Sequence, residues 1–145
     1  MKVHLLTSVS LAASLLFVLT IAPSSMAQIT NEVRAHIDHS FIVDNTTLPP
    51  GDYTFQMMQG SNLSLMTVSN DNDKTSVAFI VRESRDNHTP AHSEVVFRKY
   101  GNTEFLDKIY ETGTKIGVST TETGREEQHL LQQGQHPTEE TEDQK

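Results

Sequence analysis

Apolar and polar residues alternate along most of this chain. Val33, Ala35, Ile37, His39, Phe41 and Val43 fall on one face of an extended backbone, and Arg34, His36, Asp38, Ser40 and Asp44 on the other, with Ile42 the main exception. A period of two predicts a half-buried strand, or two strands meeting at a bend near Asp38 to Ser40. The run Thr46 to Asp52, TTLPPGD, interrupts it. Pro49 and Pro50 fix their own torsions and remove ladder donors, and Gly51 is free to take a positive φ, so a tight, shaped connection is expected. Alternation resumes over Tyr53 to Met57. Gly60 to Asn62 reads as a hairpin turn, Leu63 to Val68 as a strand and Ser69 to Lys74 as a polar turn.

Thr75 to Arg82, TSVAFIVR, is nearly continuous in apolar and β-branched residues, the pattern of a central strand covered on both faces. Glu83 to His92 is a polar loop. Glu94 to Tyr100 and Thr103 to Glu111 make a hairpin about Gly101-Asn102, although the second strand mixes apolar and polar groups on both faces and leaves its orientation open. Lys115 to Val118 reads as a last short strand. Thr120 to Gln133 contains good helix formers, with Gly124 weakening the helix they would form. About seven short strands at near-regular spacing predict an all-β fold, a small antiparallel β-sandwich or barrel with a short C-terminal helix.

The ends of the chain change this picture. Lys2, the apolar stretch Leu5 to Ala22 and the small residues Ser25 and Ala27 compose a secretory signal peptide, with cleavage expected before Gln28. The competing reading is an uncleaved anchor, but the apolar stretch is short for a spanning helix and is diluted by Thr7, Ser8, Ser10, Ser14 and Thr20. Residues 1–27 are thus assigned to export, 28–118 to one β domain and 119–145 to a short helix or linker and an acidic tail. A secreted or periplasmic location follows as the expectation. The chain has no cysteine, which excludes disulfides, thiolate metal sites and a lipid-bearing cysteine.

The formal net charge is -8. Residues 28–118 carry 12 acidic and 8 basic side chains, and residues 119–145 carry 7 and 2. That balance argues against nucleic acid and against anionic lipid surfaces, and no stable membrane insertion is expected once the signal is removed. Gln132 to Lys145 has no large apolar residue, so burial cannot offset its ordering entropy and a disordered tail is expected.

The residues able to carry chemistry are few. His36 and Asp38 share a strand face while His39 points away, and His88 and His92 lie in the polar loop. His36, Asp38, His88 and His92 are therefore the candidate metal ligands, but only if the loop approaches the first strand, since their spacing matches no recognised zinc pattern. No Gly-x-Ser-x-Gly elbow occurs, and Asn70 to Lys74 lacks the glycine and distal glutamate of a calcium loop. No catalytic residue and no cofactor is assigned.

Leu48-Pro49-Pro50-Gly51-Asp52-Tyr53-Thr54, Val95 to Gly101 (VVFRKYG) and Glu104 to Tyr110 (EFLDKIY) together resemble a group of small secreted proteins of acidobacteria and related soil bacteria. Proteins of that group share a signal peptide, a Leu-Pro-Ala-Gly-Glu-Tyr-like turn, a Phe-x-x-Tyr-Gly hairpin and an aromatic-Phe-Leu strand. The resemblance spans most of residues 33–118 and implies a fold without implying an activity. Pro50 stands where alanine is usual, and Glu104 where an aromatic residue is usual. Pro49, Pro50, Gly51, Tyr53, Phe97, Tyr100, Gly101 and Phe105 are read as structural, shaping turns or supplying the aromatic area that a small core needs.

These readings favour an exported, non-catalytic binding or structural domain whose partner is an envelope protein or an identical chain. The alternative is a carrier of a small hydrophobic ligand, should the sheet close around an apolar interior. A metal-dependent hydrolase using His36, Asp38, His88 or His92 is the third.

Overall fold

The computed structural model of the chain describes residues 32–60, 64–72, 74–121 and 124–143. The expected signal peptide at 1–27 and part of the turn after Gly60 lie outside the described residues. The fold is all-β with one short helix. Its strands are β1 (Val33–Ile37), β2 (Phe41–Val43), β3 (Thr46–Leu48), β4 (Gly51–Met57), β5 (Leu65–Asn70), β6 (Ser76–Arg85), β7 (Glu94–Tyr100), β8 (Thr103–Tyr110), β9 (Ile116–Thr120) and β10 (Thr138–Asp143), with helix α1 (Arg125–Gln132) between the last two.

The strands form one open ten-stranded sheet in the order β1-β4-β5-β6-β9-β8-β2-β3, with β7 paired to β8 and β10 paired to β7. β6 belongs to two ladders: Leu65 to Ser69 of β5 pair with its first half, and Ile116 to Thr120 of β9 with its second. β2 and β8 meet in parallel at Ile42 and Phe105, and the other pairs are antiparallel. Two of the terminal strands, β1 and β10, touch, but no ladder joins them among the described residues. The expected all-β class with a short helix holds, and the count of about seven strands is corrected to ten, in one open sheet. The additional strands were hidden in short or polar segments: β2 and β3 are three residues each, and β10 has no apolar side chain.

The anticipated bend at Asp38 to Ser40 separates β1 from β2. Thr46 to Leu48, expected within the interrupting turn, instead pairs with β2 across a turn in which Asp44 takes φ 57°. Gly51 opens β4 and is not among the residues with positive φ; it is small because an added Cβ would lie 2.9 Å from the Asn70 amide nitrogen. Gly101 does take a positive φ, 61°, in the β7–β8 turn. β6 is not covered on both faces: Ala78, Ile80 and Arg82 face outward and only Phe79 and Val81 are buried.

The inward faces of β1 to β9 supply one apolar core, which includes Val33, Phe41, Tyr53, Phe55, Phe97 and Leu106. Phe41 sits edge-on to both Tyr53 and Phe97, at centroid distances of 5.0 and 5.3 Å. The Tyr53 hydroxyl donates to the Pro49 carbonyl at 2.5 Å, tying the proline turn to the core. A second, smaller apolar cluster of Ile42, Tyr100 and Phe105 lies on the outer face under Leu130 of α1. No helix among the described residues is long and apolar enough to cross a membrane.

Residues 125–132 form the expected helix, with Gly124 outside it as the N-cap. The expected disorder of the tail is corrected. β10 pairs along β7 from Thr138 opposite Lys99 to Asp143 opposite Glu94. Ladder hydrogen bonds and two ion pairs, Lys99 to Glu140 at 2.6 Å and Lys108 to Glu139 at 2.7 Å, take the place of apolar burial. β10 thereby covers the edge that the apolar strand β7 would otherwise leave open.

Candidate functional site

Charged groups concentrate where the C-terminal segment meets β7 and β8. The register steps from Val96 opposite Lys108 to Phe97 opposite Leu106, leaving Asp107 unpaired in a bulge. The bulge lets Leu106 and Ile109 both reach the core and leaves Asp107 on the outer face beside Arg98. Arg98 reaches Asp107 through Nη1, and it donates to Glu127 of α1 through Nε at 2.5 Å and Nη2 at 3.1 Å. The Tyr100 hydroxyl donates to the same Glu127 carboxylate at 3.1 Å.

Glu127 is 2% exposed. Burial alone would disfavour the Arg98 cation, but the two carboxylates outweigh it and hold the guanidinium above its ordinary pKa. Burial and the Glu127 charge push the Tyr100 phenol up. Glu126 and Glu127 also occupy the first turn of α1, where the helix dipole favours negative charge.

Beside this cluster lies a cavity of about 380 Å³ whose lining includes Arg82, Glu83, Ser84, Arg85, Arg98, Asp107, Lys108, Ser119 and Thr120. Arg85 is paired with Glu83 at 2.9 Å, and Lys108 with Glu139. Arg82 is different. Its Nε donates to the Ser119 hydroxyl at 3.4 Å, and it has no carboxylate partner among the described residues. The two carboxylates of the lining, Glu83 and Asp107, are paired with Arg85 and Arg98, so Arg82 is the guanidinium of the cavity available to a carboxylate or phosphate oxygen pair.

A second polar group lies at the seam between β1 and β10. The bend after β1 turns His39 toward Asp38, with Nδ1 3.1 Å from Asp38 Oδ1, although strict alternation would have set the two on opposite faces. The ring packs edge-on to Phe97 at 5.1 Å. Glu104 is buried beside it and pairs with Lys99 at 2.8 Å. Glu104 and then Glu140 raise the Lys99 pKa. Among the described residues, one set of three ligating side chains converges: Asp38, His39 and Glu142 have donor atoms within 4.8 Å of one another.

Of the metal candidates read from the sequence, only Asp38 belongs to that set. His36 pairs with Asp52 across β1 and β4 at 2.7 Å, exposed to solvent. His88 is held by Asp86 and Glu94, each at 3.0 Å, and His92 is exposed in the loop. His36, Asp38 and His88 are therefore in separate local pairs, and the four do not form one site. Sequence reading missed Arg82, Arg98, Glu104, Asp107, Glu127 and Glu142. Glu104 alone carried a signal, as the acidic residue standing where the resembled group has an aromatic. No protein-family model, no curated protein and no solved structure matches the chain, so its functional reading rests on the chemistry of these side chains.

Proposed function

We propose that this chain is a non-catalytic binding domain, exported by way of residues 1–27, that docks an acidic group of a partner in the cavity lined by Arg82 and Arg98. The observation that carries the reading is Arg82: in a chain of net charge -8 it is a guanidinium in a cavity without a carboxylate of its own among the described residues. Its neighbours are fixed before any partner arrives, because Glu127 and Asp107 immobilise Arg98 and Glu139 holds Lys108. Such preorganisation lowers the ordering cost of binding. The partner class, an envelope protein or a second copy of the chain, follows from the export reading.

The hydrophobic-carrier alternative draws less support, since Phe41, Tyr53, Phe55, Met66 and Phe97 fill the interior where an apolar ligand would sit. The hydrolase alternative draws less too, because its four ligands stand apart. The test is cross-linking of the wild-type chain in its own compartment, followed by the same experiment with Arg82→Glu. A discrete complex lost in the variant is expected. A chain that is monomeric and uncross-linked, or a complex indifferent to Arg82→Glu, would overturn the proposal.

A further inference from the structure

His39 has a different carboxylate at each ring nitrogen. Its Nε2 lies 2.5 Å from Glu104 Oε2, not aligned as a hydrogen bond, and neither atom has another partner. The Glu104 side chain is only 6% exposed. Nδ1 faces Asp38 instead, hydrogen-bonded to Oδ1 at 3.1 Å, and donor atoms of Asp38, His39 and Glu142 lie within 4.8 Å of one another. Lys99, the neighbouring cation, is engaged by Glu104 and Glu140.

We propose that Asp38, His39 and Glu142 bind a first-row divalent cation, zinc foremost, through His39 Nδ1 and one oxygen of each carboxylate, with Glu104 as the positioning residue for the imidazole. Zinc bonds of about 2.0–2.2 Å to nitrogen and oxygen place tetrahedral donors about 3.3 Å apart, close to the Nδ1 to Oδ1 separation. A carboxylate accepting the other ring N–H of a ligating histidine fixes its tautomer and orientation, the role Glu104 is placed to take. One imidazole with two carboxylates suits zinc better than calcium, which selects oxygen ligands alone. The fourth position is left to water. Because Asp38 and His39 sit on the β1–β2 bend and Glu142 on β10, the cation would fasten the seam that no ladder closes.

The test is calorimetric titration of zinc into the purified chain without a polyhistidine tag, with Glu142→Gln and Glu104→Gln alongside. Circular dichroism would confirm that each variant is folded. One zinc per chain is expected in the wild type, with a rise in melting temperature on zinc addition. Glu142→Gln, at an incompletely buried position on β10, should lose both effects, and Glu104→Gln should weaken binding by about 10–100-fold. No stoichiometric zinc in the wild type would overturn the site. Equal affinity in wild type and Glu142→Gln would overturn it as well, placing the metal at other histidines.

Discussion

Replacing Glu127 by alanine should unfasten the C-terminal segment. The carboxylate is buried and accepts three hydrogen bonds, two from Arg98 and one from Tyr100. Hydrogen bonds to a charged group are worth about 1.5–3 kcal/mol each, and they do not add fully when they share one carboxylate. Breaking a buried ion pair by removing one member costs about 3–5 kcal/mol, because the remaining charge stays desolvated. Here Arg98 keeps Asp107 and its side chain is 20% exposed, which puts the expected loss at the lower end, about 3 kcal/mol. For a domain of this size that is a fall of about 10 °C in Tm. Glu127→Gln retains an acceptor and should lose less.

Urea denaturation of the three proteins measures the difference. The triple variant Arg98→Met with Asp107→Asn and Glu127→Leu removes all three charges of the cluster and should recover most of the loss, as replacement of a whole buried ion cluster by neutral groups often does. A Glu127→Ala protein within about 0.5 kcal/mol of wild type, the range of an inconsequential surface change, would refute the reasoning.

Other perturbations have defined outcomes. At Gly117, a Cβ would lie within the Ile109 carbonyl and the Tyr110 ring, so Gly117→Ala should cost about 1–3 kcal/mol in chemical denaturation; a neutral result would mean that β9 does not pack there. Tyr53→Phe removes the hydroxyl that binds the Pro49 carbonyl and should cost about 1 kcal/mol, measured as a shift in urea midpoint at unchanged slope. Asp86, and then Glu94, raise the pKa of His88 above its ordinary 6.5. The stabilisation from that protonated histidine is complete below 6.5 and is lost as pH rises through the higher folded-state value. An NMR titration of the His88 ring should show that elevated midpoint, falling in Asp86→Asn; a midpoint unchanged by the substitution would contradict the pairing.

The strand pattern of the core was legible because alternation is a local signal. β1, β4, β7 and the Gly101 turn follow directly from residue order, as do the bend at Asp38 and the helix after Gly124. β8 was not legible in orientation. Its bulge at Asp107 puts Leu106 and Ile109 on the same side, an arrangement a period of two cannot register. The tail was misread for a physical reason: its order comes from pairing with β7 and from ion pairs to Lys99 and Lys108, which lie 41 and 31 residues away in sequence from their partners. Composition sees only that the tail has nothing apolar to bury. The candidate site was obscured in the same way, since Arg98, Asp107 and Glu127 come from three separate elements, and Asp38 meets Glu142 only where the end of β1 comes against β10.

The acidic C-terminal segment is part of the fold, where it braces Arg98 and Lys108 at the cavity and brings Glu142 to the seam. Amide hydrogen exchange over Thr138 to Asp143 tests this most directly. Protection of the β10 amides that bond to β7, lost when Lys99 and Lys108 are replaced by glutamate, is the predicted result. Exchange at the rate of an unstructured chain in the wild-type protein would contradict it, and with it the architecture from which the cavity and the cation site are read.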